Sequence, residues 1–210
     1  MKALIFYGGW NGHTPKESAE IIAGELGKNG VEVTMTDKLD ILADEKTLAE
    51  MSLIVPVWTM GSLSNEQSKG LLTAVKNGVG LGGFHGGAGD AFRGNIDYEW
   101  MVGGIFVGHP HVGKYTVNVL KSDFGITECL GRSFEYESEQ YYMLVDPANN
   151  VLAETVYSHA GDEIRMPVVW TKKWGKGKVF YSALGHKAEE FVKYPAVLEM
   201  TVKGLLWAAR

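Results

Sequence analysis

The chain has 210 residues, 45% of them hydrophobic and 11% aromatic, enough apolar surface for one sizeable domain spanning residues 1–210. Twenty Lys+Arg against 25 Asp+Glu give a net charge of −5 without a basic stripe, which argues against a nucleic-acid partner. A single cysteine, Cys129, excludes an intrachain disulfide and a multi-cysteine metal site, and the 27 glycines lack the Gly-X-Y period of collagen.

Ala3–Tyr7 is an unbroken apolar run closed by Gly8-Gly9, the pattern of a strand buried on both faces. It is too short for a signal peptide, and no later run approaches the ~20 residues of a membrane span, so a soluble cytoplasmic protein is expected. Lys16–Lys28 places Ala19, Ile22, Ala23 and Leu26 on one helical face, with Thr14 as expected N-cap, Pro15 at the first helical position and Glu17 completing a capping box. Val31–Thr36 then alternates as a strand, which completes a β-α-β unit.

The same grammar repeats. Leu53–Trp58 is a second apolar strand, with Pro56 marking its end or an irregularity. Asn65–Asn77 is a helix closed by Gly78, and Val79–Phe84 is another buried strand. A helix or turn through Asp97–Met101 precedes a short strand at Gly104–Val107. From Lys114 onward, Tyr115–Val119, Phe134–Glu137, Tyr142–Val145 and Val151–Tyr157 alternate like antiparallel strands. Met166–Trp170 and Gly177–Tyr181 form a hairpin around Trp174-Gly175, and Pro195–Arg210 is a final helix. The fold class is α/β, a parallel sheet flanked by helices with an antiparallel extension in the second half.

Twelve of the 27 glycines fall between Gly78 and Gly113, and four of the six histidines are bonded to glycine: His13, His85, His109 and His186. All four lie at or just after predicted strand ends, where an open α/β sheet gathers its ligand-binding loops. Histidine there can bind a metal or exchange protons near neutral pH, although an isolated histidine beside a strand is more often structural. His109-Pro110-His111 also reads as a turn, and His159 falls in a predicted surface loop. Gly83-Phe84-His85-Gly86-Gly87 has the outline of a nucleophile elbow, but the raised residue is neither Ser nor Cys.

In Glu135–Glu139 the alternation puts three carboxylates on one strand face and Tyr136 and Ser138 on the other. A solvated acidic face is the plain reading; the sharper one sends Glu139 into the histidine cluster as ligand or general base, with Glu137 as its rival. Imidazole with carboxylate suits zinc or a similar divalent ion, so His13, His85, Glu139 and His186 are also a candidate metal-ligand set. Trp10 and Trp58 are candidate platforms for sugar C–H faces, as readily as core or interface residues.

Taken in order, Gly8-Gly9-Trp10-X-Gly12-His13-X-Pro15, Gly83-Phe84-His85, Phe106-X-Gly108-His109-Pro110, Glu139-Gln140-Tyr141 and the run from Pro167 to Leu184-Gly185-His186 resemble the trehalose-utilisation (ThuA-like) family over nearly the whole chain. The resemblance implies a flavodoxin-like three-layer sandwich similar to class I glutamine amidotransferases, whose elbow cysteine is replaced here by His85. It implies a role in breaking down trehalose or related disaccharides, on keto sugars. It points to His13, His85, Glu139 and His186 as pocket residues, with His109 also matching.

The reading that results is a carbohydrate-acting enzyme of isomerase, lyase or hydrolase type, not an active glutamine amidotransferase. His85, Glu139 and His186 are its expected catalytic residues, and Trp10, His13, Trp58, His109 and Tyr141 its expected substrate-binding residues. A small sugar is the expected partner, and a homodimer or higher homo-oligomer fits the aromatic-rich extension. The alternative is a non-catalytic sugar-binding or regulatory protein on the same scaffold.

Overall fold

The computed structural model describes residues 1–210, with His159 described by its backbone alone; that backbone closes the strand Asn150–His159, paired with Asp162, where the sequence predicts a surface loop. In chain order the elements are β1 (Lys2–Gly9), α1 (Pro15–Lys28), β2 (Glu32–Thr36), α2 (Glu45–Ala49), β3 (Leu53–Thr59), α3 (Asn65–Lys76), β4 (Gly80–Phe84), α4 (His85–Gly89) and α5 (Ile96–Val102). There follow β5 (Gly104–Val119), β6 (Ser133–Val145), β7 (Asn150–His159), β8 (Asp162–Trp174), β9 (Gly177–Ser182), α6 (Ala188–Lys193) and α7 (Pro195–Ala208).

All nine strands join one sheet in the order β2-β1-β3-β4-β9-β8-β7-β5-β6. The first five run parallel; β9 then pairs antiparallel with β8, and the rest of the sheet is antiparallel. The parallel strands carry the continuous apolar runs because both of their faces are covered: Ala3–Phe6 and Leu53–Val57 are buried throughout. On the helical side, α1, α6 and α7 touch one another, while α3 touches both α2 and α5.

Pro56 does not end its strand. The β1 ladder continues from Leu53 to Thr59, whereas the β4 ladder covers only Leu53 and Ile54. The missing N–H therefore falls beyond the β4 ladder, and the ring packs where Gly83 leaves room, 3.2 Å from the site of a Cβ there. The short strand expected at Gly104–Val107 is instead the start of the 16-residue β5, continuous with Tyr115–Val119 through bulges between Phe106 and His111. Those bulges break the alternation that would have revealed its length.

The capping box expected at Thr14 does not form. Thr14 sits at φ 44° and makes no side-chain cap; its hydroxyl instead accepts the Ala188 N–H at 2.9 Å. It thereby ties the loop after β1 to the loop after β9. A capping box does form on α3, between Ser64 and Gln67. No helix among the described residues is long and apolar enough to cross a membrane.

Candidate active site

Because β1, β3, β4 and β9 are parallel, their C-terminal ends open toward the same edge of the sheet. The loops there supply His13, Thr59, His85 and His186, and β6 brings Glu139 and Tyr141 to the same place. One ligand-capable atom from each of His13, His85, Glu139 and His186 lies within 4.8 Å of the others. The three imidazoles stand edge to face, their centroids 4.9, 4.9 and 5.1 Å apart.

His85 occupies the elbow between β4 and α4 at φ 45°, a left-handed conformation that strains any side chain with a Cβ. Tyr181 holds this backbone by donating to the His85 carbonyl at 3.0 Å. Thr14 and Met60, just past β1 and β3, are left-handed as well, so backbone strain concentrates on this end of the sheet. Gly86 answers a close approach: a Cβ there would clash with the His13 ring, 2.7 Å from Nδ1.

Each ring is held from outside. His85 Nδ1 lies 2.8 Å from the Tyr141 hydroxyl and His13 Nδ1 lies 2.8 Å from Thr59 Oγ1. Glu190 of α6 accepts hydrogen bonds from the Tyr136 and Ser138 hydroxyls and from the His186 N–H, so one carboxylate locks the loop after β9 to β6. At the centre, Glu139 Oε2 is 3.6 Å from His85 Nε2 and 3.4 Å from His186 Nδ1, while Oε1 is 3.8 Å from His109 Nε2. His85 Nε2 and His186 Nδ1 are both buried without a hydrogen-bond partner.

Burial dominates the electrostatics. It lowers His13 to about 4, with the nearby His186 and Lys187 adding to the effect. It lowers His186 to about 4 as well, helped by Lys187 and His109, and it holds His85 well below the ordinary imidazole range. Glu139 moves up, chiefly by burial, with His109 opposing and Glu190 reinforcing the rise. At neutral pH the site is therefore three neutral imidazoles around a carboxylate made more basic than usual.

The rivalry between the two glutamates has a geometric answer: Glu137 is exposed and pairs with Lys193 at 2.8 Å, whereas Glu139 reaches the histidines. Trp10 is exposed and packs edge-on against His13 at 4.7 Å. Trp58 lies over Gly8 and Gly61, whose missing Cβ atoms leave room for its ring. Tyr141 is buried, with its hydroxyl engaged by His85. His109 is half exposed at the rim, and its neighbour His111 contacts the Lys114 carbonyl instead. Cys129 stands apart, against the Ala196 carbonyl, and burial raises its thiol. Sequence reasoning missed Thr59 and Glu190, which orient histidines and belong to no motif; their only signals are a strand-end position and a short helix.

The family model for trehalose utilisation (ThuA) matches residues 2–208. The chain belongs to the ThuA family. No curated protein sequence matches it significantly. Among solved structures, a protein described as ThuA-like from Bacteroides uniformis ATCC 8492 superposes with a TM-score of 0.80 at 20% identity, covering 99% of this chain and 91% of that one. A ThuA-like protein from Parabacteroides merdae ATCC 43184 gives 0.78 at 19% identity, with 99% and 89% covered. A cytoplasmic protein from Salmonella typhimurium LT2 gives 0.68 at 12% identity over the whole of both chains. At these identities the likeness of the ThuA chain to each structure is one of fold.

Proposed function

We propose that this ThuA-family chain is a cytoplasmic enzyme of disaccharide utilisation that moves protons on a keto sugar. One observation carries the reading: a single carboxylate, Glu139, stands 3.4–3.8 Å from three imidazoles, two of which have buried, unpartnered nitrogens aimed at it. The strand order β2-β1-β3-β4-β9, which reverses direction beside β1, supports a flavodoxin-like layering with the ligand outside the strand ends.

Glu139, raised by burial, is suited to take a proton from the carbon next to a carbonyl. The electron pair of that C–H bond moves toward the carbonyl oxygen. His186 Nδ1 and His85 Nε2 lie close enough to Glu139 to receive the proton, and either can return it to a second carbon or to a leaving oxygen. Return to carbon isomerises the sugar; return to the bridging oxygen, with cleavage of its C–O bond, splits a disaccharide. Tyr141 and Thr59 fix which ring nitrogens face the centre.

The same four residues fit a divalent ion. Tetrahedral ligands at about 2.0–2.1 Å stand about 3.3–3.4 Å apart, close to the 3.4 and 3.6 Å seen between Glu139 and the two imidazoles. Hydroxyls on the outer nitrogens of His13 and His85 supply the orienting contacts that metal-bound histidines need. A zinc-like ion held by His13, His85, Glu139 and His186 would supply polarisation of the sugar carbonyl in place of the proton transfer above, since it would occupy the same carboxylate and imidazole atoms.

The test is turnover followed by NMR on trehalose and its keto derivatives, with calorimetry in parallel. The wild type is expected to convert a keto disaccharide, and His85→Ala and His186→Ala to lose at least about 100-fold in kcat/KM. Sugar binding without conversion would favour the non-catalytic alternative, which the absence of a nucleophile at the elbow makes the natural rival.

A further inference from the structure

Beyond the Glu139 centre, the antiparallel half of the sheet forms a second cavity. Strands β5 and β7 pair only from Val117 to Val119, so the β5–β6 and β7–β8 arms separate past that ladder. Between them lies a cavity of about 470 Å³ lined by Gly108, His109, Pro110, Tyr142, Tyr157 and Ile164. That volume lies within the range of ~300–1,000 Å³ usual for small-molecule sites.

Three features mark it as a built subsite that shares a wall with the centre. His109 is a shared wall, lining the cavity while its Nε2 stands 3.8 Å from Glu139 Oε1. The β5 bulges on either side of Gly108 shape the floor, and a Cβ at Gly108 would meet nothing within 4 Å, so the glycine borders open space. The lining is mostly aromatic and apolar, with the His109 imidazole and the Tyr142 hydroxyl as further polar groups, and the hydroxyl of its wall residue Tyr157 is buried with no hydrogen-bond partner. Aromatic and proline faces with a single unmet hydroxyl suit a pyranose ring, which offers C–H faces and peripheral hydroxyls.

We propose that this cleft holds the second ring of a disaccharide whose first ring lies at the Glu139 centre, with His109 at the linkage between them. The proposal rests on the sugar-acting reading above. It explains why a site built for proton transfer adjoins an aromatic cleft: the cleft selects two-ring substrates over single sugars.

Calorimetric titration with trehalose and with methyl α-glucoside, alongside their keto derivatives, tests it. The wild type is expected to bind the two-ring ligand about tenfold more tightly than the matched one-ring ligand. Ile164→Trp, which fills the cleft, is expected to collapse that ratio toward one, and the milder Tyr157→Phe to reduce it about three- to tenfold by removing one hydrogen bond. Equal affinity for one- and two-ring ligands in the wild type, or an unchanged ratio in folded Tyr157→Phe and Ile164→Trp proteins, would overturn the cleft assignment. Turnover in the same samples reports separately on the enzymatic reading: a ratio that responds to the variants without any conversion upholds the cleft and removes the enzyme.

Discussion

At the scale of single residues, the site depends on how closely the elbow lets its neighbours approach. Gly86 packs against the His13 ring, and a Cβ added to it would stand 2.7 Å from Nδ1. Gly86→Ala must therefore push His13 off its Thr59 hydrogen bond. A displacement of about 1 Å can cost on the order of 100-fold in rate, so kcat/KM should fall by that order while the fold survives. Circular dichroism with kinetics checks both parts, and full activity in the variant would show that His13 need not sit where it does. The left-handed His85 makes the complementary point: strain is retained at the residue whose ring must stand above the sheet.

At the scale of elements, the loop after β9 is held by a short helix together with the sheet. Glu190 of α6 accepts from Tyr136, Ser138 and the His186 backbone, and so joins that loop to β6 alongside the Gly185 N–H bond to the Tyr136 hydroxyl. Glu190→Ala leaves these donors unmet and is expected to cost about 2–3 kcal/mol, readable as a shifted denaturation midpoint, with loss of activity through His186. Glu190→Gln, which keeps an acceptor, should recover much of the stability. Such contacts explain what the sequence could and could not disclose. Runs such as Ala3–Phe6 announce strands because burial on both faces demands apolar residues, and the histidine-glycine pairs announce strand-end loops. The β5 bulges hid one long strand as two short ones, α6 is only six residues, and the Thr14 hydroxyl binds across the fold to Ala188 where local pattern called for a cap. Glu139 was legible as a strand residue facing away from Tyr136; its distance to three histidines depends on how β6 is carried across the sheet, which no local pattern encodes.

At the scale of the whole molecule, one sheet joins a parallel half that presents histidines to an antiparallel half that returns a carboxylate to them. Burying this cluster links folding to pH. His13 and His186 fall from 6.5 to about 4 on folding, so below about pH 6.5 the unfolded chain binds protons that the folded chain does not. Their contribution is present above the unfolded value and is lost as pH falls toward 4. Glu139, raised on folding, has the opposite sign: its contribution is present below its unfolded value of 4.5 and is lost as pH rises through the folded value, so it offsets part of the acid loss. With chelator present, stability should drop by about 1 kcal/mol per histidine between pH 7 and pH 5, after allowing for partial solvent screening. Urea midpoints measured at both pH values check this, and a flat profile would contradict the neutral cluster. The central claim is that Glu139 exchanges protons with a sugar, and it is tested most directly by Glu139→Gln, an isosteric change that removes the base. In D2O, NMR of a keto disaccharide with wild-type protein should show deuterium entering beside the carbonyl, or cleavage with solvent deuteron uptake, and the variant should lose this by at least about 100-fold; equal rates in the two proteins would contradict the account.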